Sequence, residues 1–155
     1  MTAIDLMREL TRHQLSYELI PHPPTHTADE EAVAVGVASD EVAKTIVLTT
    51  PDGFVRAVVP ASERLNIAKA RELVGGGKRT RLARESELAA AYPMFELGAV
   101  PPFGGPAGDR VLVDRRLAMR QSVVLDAGSH RESVRMSGSD LFLLTQAEVA
   151  DLCRS

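Results

Sequence analysis

Two runs rich in β-branched residues, Lys44–Thr50 and Phe54–Pro60, flank the sequence Pro51-Asp52-Gly53. Asp-Gly permits a tight reversal and neither run is broken internally by glycine or proline, so the centre of the chain is committed to an antiparallel hairpin. Around it the hydrophobic period switches repeatedly between helical and strand values, the pattern of a mixed α and β domain. The spacing of Ile4, Leu6, Met7, Leu10 and Leu15 predicts a helix over Ala3–Gln14, then a strand over Tyr17–Pro21 that Pro23 and Pro24 stop. Thr27 with Glu30 is a capping-box signature for a helix from Ala28 to Val35, with Gly36 at its end. Asn66 caps a helix carrying Ile67, Ala70, Leu73 and Val74, which Gly75-Gly76-Gly77 terminates. A short basic strand over Arg79–Leu82 and a helix over Glu85–Tyr92 follow. Strands are expected at Val111–Asp114, Ser122–Ala127 and Ser133–Met136, and Thr145 with Glu148 reads as a second capping box opening a terminal helix through Val149 and Leu152. With no repeat, low-complexity tract or linker, the expectation is one domain over residues 1–155.

At 155 residues a domain buries roughly 70% of the surface of its unfolded chain and folds alone. Uncharged apolar stretches of about six residues are far short of the roughly 20 that a membrane helix requires. Asp5, Arg8 and Glu9 interrupt the N-terminal apolar residues, which excludes signal-peptide logic. A single Cys153 allows neither an internal disulfide nor a cysteine-based zinc site, and a reducing cytoplasm is the expected location. A net charge of -3, with four Phe, two Tyr and no Trp, excludes a uniformly basic nucleic-acid binder and a long base-stacking platform. Any nucleic-acid contact must be local. Arg64, Lys69, Arg71, Lys78, Arg79, Arg81 and Arg84 face only Glu63 and Glu72 in the same stretch. They form either a phosphate-facing patch or the solvated face of a helix and an exposed strand.

Few residues suit covalent or metal chemistry. There is no G-x-S-x-G elbow, and Ser129 beside His130 is not a nucleophile and base merely by adjacency. His22 and His26 are four residues apart, but Pro23 and Pro24 forbid the helix that would bring their rings to one face, so both read as loop histidines. Gly75-Gly76-Gly77-Lys78 lacks Walker spacing and its Ser or Thr, leaving a helix C-terminus. Gly98-Ala99-Val100-Pro101-Pro102-Phe103-Gly104-Gly105-Pro106 is too rich in Gly and Pro for regular structure and must be a shaped loop. Lys44 begins a strongly apolar strand, where an ammonium group is costly unless it reaches water or faces an anion in a cleft.

The string Val42-Ala43-Lys44-Thr45-Ile46-Val47-Leu48, with Thr27-Ala28-Asp29-Glu30-Glu31-Ala32 upstream, resembles the YbaK and prolyl-tRNA synthetase editing-domain family of aminoacyl-tRNA deacylases. Gly98 to Gly104 matches that family's G-x-x-x-P loop, Val111-Leu112-Val113-Asp114 its strand ending in aspartate, and Ala127-Gly128-Ser129-His130 its late glycine-containing turn. Ser139-Asp140-Leu141 precedes the closing helix as in family members. The markers run in order from Thr27 to Leu152 and cover most of the chain. With nothing else in the sequence, the resemblance is to the free-standing trans-editing members.

The resemblance implies a curved mixed β-sheet surrounded by helices, and hydrolysis of the ester that joins a wrong, small amino acid (alanine, cysteine, serine or threonine) to the terminal adenosine of tRNA. It implies Lys44, Gly98 and His130 as catalytic residues. Lys44 would hold the terminal phosphate or ribose, the Gly98 loop would stabilise the oxyanion, and His130 would contact the aminoacyl group or adenosine, or place the water. Thr27, Ala99, Val100, Pro101, Pro102, Asp114, Gly128 and Ser129 are the expected substrate-binding residues, and Lys78, Arg79, Arg81 and Arg84 the expected tRNA contacts. An aminoacyl ester is already activated, so a positioned water with backbone oxyanion donors suffices, and neither cofactor nor metal is expected. The implied partner is the acceptor end of tRNA, together with a synthetase if the free domain must be brought to its substrate. The competing readings are a module that binds aminoacyl-tRNA without hydrolysing it, and a protein acting on a small nucleotide or free amino-acid ester.

Overall fold

The computed structural model describes residues 3–105 and 109–155, so Pro106, at the end of the expected loop, and the side chain of Ile4 lie outside the described residues. The hairpin forms as β2 (Val42–Thr50) and β3 (Gly53–Pro60), paired from Ala43↔Pro60 to Thr50↔Gly53. Four further strands extend it: β1 (Glu18–Pro21), β5 (Arg110–Asp114), β6 (Val123–Asp126) and β7 (Glu132–Met136). With β8 (Glu148–Ala150) at one edge, the order is β1-β7-β6-β2-β3-β5-β8, and the two-residue β4 (Arg81–Leu82) pairs with β2 off this path. The sheet is mixed, because β2–β6, β3–β5 and β5–β8 are parallel and the remaining pairs antiparallel.

Helices cover both faces, which is why the central strands read as near-continuous apolar runs. On one face Leu6 and Leu10 of α1 (Ala3–Arg12) pack with Val47, Val58, Val113, Leu125 and Val134. On the other, Ala70 of α3 (Ile67–Val74) lies against Leu48, Val59 and Leu112, and Ala32 of α2 (Ala28–Val35) against Val42 and Val124. Alternation along β2 assigns Ala43 and Val47 to the first face and Val42 and Leu48 to the second. Local signals start the helices as expected: Thr27 Oγ1 accepts the Glu30 N–H at 3.1 Å, and Asn66 Oδ1 the Ala68 N–H at 3.0 Å. The Glu30 carboxylate accepts from the His26 N–H at 3.0 Å, which extends the cap one residue upstream.

Several boundaries differ from the sequence reading. The first helix ends at Arg12, and Arg79 belongs to a 3-10 turn (Gly77–Arg79) that shortens the basic strand to Arg81–Leu82. The short α5 (Arg115–Ala118), capped by Asp114, was not anticipated, while α4 (Glu85–Ala91) was. The larger correction is at the C-terminus. Instead of opening a helix, Thr145 ends α6 (Gly138–Thr145), its hydroxyl donating back to the Leu141 carbonyl at 2.8 Å. Residues Glu148–Ala150 then form β8, with Val113↔Val149 in register. The capping-box pattern is local, whereas the free backbone groups along the edge of β5 are a tertiary demand that β8 satisfies.

Candidate active site

One row across the sheet builds the site. Ile20 of β1 is in register with Ser133 of β7, and Ser133 with Asp126 of β6. β6 pairs with β2 through Val42↔Val124 and Ala43↔Leu125, so Lys44 and Asp126 come next in each strand, on the face that holds Val42 and Val124. Lys44 itself is in register with Val59. The N-terminal half of α2 lies over this row, and the loops before α2, after α4 and after β6 close it. The result is a cleft of about 130 Å³. Its walls are Thr25, His26, Thr27 and Ala28, then Lys44, Thr45 and Ile46 of β2, with Gly98, Asp126 and His130 opposite.

The structure therefore brings Thr27, Lys44, Gly98 and His130 together from four separated stretches of chain. Gly98 has φ +83, and a β-carbon there would lie 3.4 Å from His130 Cε1, so the backbone passes directly beside the imidazole. Its N–H has no hydrogen-bond partner among the described residues. His130 is held three ways: its N–H donates to Glu96 Oε2 at 2.9 Å, its carbonyl accepts from Thr25 N–H at 2.9 Å, and Nε2 donates to the Leu97 carbonyl at 2.6 Å. A carbonyl can only accept, so Nε2 carries the proton and Nδ1 of a neutral ring is the free acceptor. Lys44 Nζ forms no ion pair or hydrogen bond among the described residues. Thr45 Oγ1 is shielded from solvent and has no hydrogen-bond partner among the described residues.

The other expected residues surround the cleft or lie away from it. Ala99 and Val100 are buried in the core beneath Gly98, and the Ala99 N–H is spent on the Glu96 carbonyl at 3.0 Å. Pro101 and Pro102 continue inward. Gly128, with φ +91, packs so closely on Phe95 that a β-carbon would approach a ring atom to 2.9 Å, and its carbonyl accepts from the Glu96 N–H. Ser129 Oγ accepts from the Arg131 N–H at 3.3 Å. Asp114 does not line the cleft. It is wholly buried and accepts from the N–H groups of Arg116 and Leu152, both at 2.9 Å, and from the Cys153 thiol. Those hydrogen bonds hold its carboxyl below the usual range against the opposing effect of burial, and burial beside Asp114 pushes the Cys153 thiol up to about 12.

Two groups in or under the site were missed from sequence. The first is a carboxyl pair. Glu31 is 2% exposed and hydrogen-bonded to Asp126, which lines the cleft. Burial raises the Glu31 carboxyl; burial and then the adjacent Glu31 charge raise Asp126 far above the usual carboxylate range. Behind the pair, Ser133 Oγ donates to Glu31 and lies 2.9 Å from His22 Nε2, while His22 Nδ1 donates to the Pro23 carbonyl. Asp126 closing the apolar run Val123-Val124-Leu125 was the available signal. The second is Arg56, a charge within apolar β3. Its buried guanidinium donates to the carbonyls of Pro101 (2.9 Å) and Gly104 (2.6 Å), pairs with Asp109 at 3.2 Å and lies 4.9 Å from the Tyr92 ring centroid. It ties down the loop that begins at Gly98.

The basic residues lie elsewhere. Lys78 and Arg79 are exposed on the 3-10 turn, Arg84 is exposed ahead of α4, and Arg81 is engaged by both oxygens of Glu87 at 2.8 and 3.3 Å. β4 meets β2 at Leu48 and Thr49, roughly 13–17 Å along the strand from Lys44 at about 3.3 Å per residue. No group of three His, Cys, Asp or Glu among the described residues forms a metal-ligand cluster. None of the described helices is long and apolar enough to cross a membrane.

Comparison with known proteins agrees with this geometry. Residues 22–144 match the model of the aminoacyl-tRNA editing domain. The chain is 34% identical over 104 residues to a proline–tRNA ligase of Maridesulfovibrio salexigens, covering 64% of this chain and 17% of that protein. It is 32% identical over 126 residues to the proline–tRNA ligase of Xanthomonas oryzae pv. oryzae, covering 77% of this chain and 21% of the ligase. The chain thus spans about a fifth of the length of the curated relatives it matches. A crystal structure of a proposed trans-editing enzyme for prolyl tRNA synthetase superposes with a TM-score of 0.87 at 30% identity, covering 99% of this chain and 97% of that one. A fold shared end to end, and a family match that includes every wall of the cleft, define an editing-type domain. The chain belongs to the aminoacyl-tRNA editing-domain family.

Proposed function

We propose that this protein is a trans-editing aminoacyl-tRNA deacylase that hydrolyses the ester of a tRNA carrying a wrong, small amino acid. The observation that carries the reading is the convergence of an unpaired Lys44, an unpartnered Gly98 N–H and a rigidly held His130 in one small cleft. Lys44 binds the terminal phosphate or ribose of the acceptor adenosine, a charge-assisted contact of about 1.5–3 kcal/mol. The Gly98 N–H donates to the oxygen that becomes negative as water adds to the carbonyl carbon. His130 Nδ1 accepts a hydrogen bond from that water and orients it. When the tetrahedral intermediate collapses, the ester C–O bond breaks, the ribose oxygen takes the proton that the attacking water gave up, and the free amino acid leaves with the water's oxygen in its carboxyl group.

Cleft size supports a small substrate. A cleft of about 130 Å³ is below the roughly 300 Å³ at which drug-sized ligand pockets begin, which suits alanine, cysteine, serine or threonine better than a bulky side chain. Such amino acids are where a synthetase needs a second sieve, because a methylene supplies only about 1–3 kcal/mol of discrimination. The proline–tRNA ligase relatives favour tRNA for proline as the carrier. Thr27 caps the helix over the cleft and shapes its wall. Ala99 to Pro102, Gly128 and Ser129 hold Gly98 and His130 in place, and Asp114 anchors the C-terminal segment. Lys78, Arg79 and Arg84 meet acceptor-stem phosphates, with Arg81 fixing the start of α4 beside them.

The test is deacylation of tRNA for proline charged with alanine, cysteine, serine, threonine or proline, by wild type and Lys44→Ala. Loss of one small misacylated species, spared by the variant, is expected. Survival of every ester at high protein concentration while tRNA still binds would leave a binding module in place of an enzyme.

A further inference from the structure

We propose that the Glu31–Asp126 carboxyl pair is the receptor for the α-ammonium group of the aminoacyl moiety, an inference that rests on the deacylase reading of the same cleft. Two carboxyls in hydrogen-bond contact cannot both ionise, so they share one proton and one negative charge. Asp126 lines the cleft, whereas Glu31 is almost fully buried and does not, so Asp126 is the member of the pair that faces a ligand. Lys44, one strand away on the same face, pairs with neither carboxyl among the described residues. The cleft thus keeps a positive side and a negative side that have not neutralised each other. A ligand carrying an ammonium at one end and phosphate at the other, as every aminoacyl-adenosine terminus does, matches both. His26 and His130, also in the walls, bring no fixed negative charge, which leaves the pair as the anionic group for the ammonium.

The chemistry sets a consequence. An ester whose amine is acylated, as on initiator or peptidyl-tRNA, has no ammonium and places a bulky neutral group against the pair. It is rejected even when its side chain fits.

Binding separates this inference from hydrolysis. The probes are two hydrolysis-resistant amides of 3′-amino-3′-deoxyadenosine 5′-phosphate, one alanyl and one lactoyl, which differ only in ammonium versus hydroxyl. Wild type is expected to bind the alanyl probe about 10- to 100-fold more tightly by calorimetry, the range of one charged contact. The double variant Asp126→Asn/Glu31→Gln, which removes the pair's one negative charge and is checked for folding by circular dichroism, is expected to reduce that ratio to about one while leaving lactoyl binding within about threefold; either single variant keeps one carboxylate and most of the preference. Lys44→Ala weakens both probes equally. Equal affinity of wild type for the two probes, or a preference that survives both carboxyl substitutions, overturns the proposal. A preference without ester hydrolysis upholds the ammonium site and sinks the deacylase reading. Failure to bind either probe sinks both.

Discussion

The proton shared by Asp126 and Glu31 ties stability to pH at a single position. Both carboxyls are raised in the folded chain, so their contribution is fully present below the ordinary carboxylate range and is lost as pH rises through the folded values. Asp126→Asn keeps a donor toward Glu31 without needing that proton. The difference in melting temperature between variant and wild type is therefore expected to grow in the variant's favour from pH 4.5 to 8. A difference that is flat across that range would place the charge elsewhere. Not all of these residues were equally legible. Lys44 announced itself as a cation opening an apolar strand, and Gly98 as the start of a run of glycine and proline. Asp126 also ended an apolar run, but only the register of β7 and β6 on β2 sets it beside Lys44 and over Ser133. Thr45 read as an ordinary β-branched strand residue, and nothing in its neighbours showed that its hydroxyl would go unpartnered.

At the scale of elements, the loop after α4 depends on a side chain far from it in sequence. Arg56 holds the carbonyls of Pro101 and Gly104 and neutralises Asp109, to which the Tyr92 hydroxyl also donates at 2.5 Å. Arg56→Met leaves Asp109 uncompensated and the loop untethered. It is expected to cost about 3–5 kcal/mol in urea unfolding and, in the fraction that folds, to lower kcat for the ester about tenfold with little change in KM, because Gly98 shifts while Lys44 does not. Unchanged unfolding would show that the loop is self-supporting. The existence of this loop was readable from composition; its tether was not, because a charge inside an apolar strand has no identifiable partner until the strands are ordered. The same reasoning explains β8. Helix-start signals lie within a few residues, whereas the vacancy beside β5 exists only in three dimensions.

For the whole molecule, charge is divided between a cleft and a distant cationic corner. Lys78 and Arg79 lie a strand's length from Lys44, so neither is needed for the terminal nucleotide alone. The double substitution Lys78→Ala/Arg79→Ala is expected to leave hydrolysis of alanyl-adenosine unchanged. It should reduce the advantage of full-length tRNA and flatten its salt dependence by about 0.7–0.9 per lost phosphate contact. Equal losses on both substrates would remove the corner from RNA recognition. The order of markers along the chain made the family resemblance visible and with it the mixed sheet, but the strand order 1-7-6-2-3-5-8 was beyond any local signal.

That order has a kinetic consequence. The parallel junction of β2 with β6 joins residues about eighty positions apart, and pairings of such span close late because chain entropy opposes them until most of the sheet exists. Lys44 and Asp126 stand immediately past that junction. A nascent or half-collapsed molecule, with its hairpin formed and β6 still loose, presents a lysine to solvent and no enclosed cleft. The enclosed cleft and the completed sheet arrive in one step, so the site is assembled by the last long-range pairing of the fold.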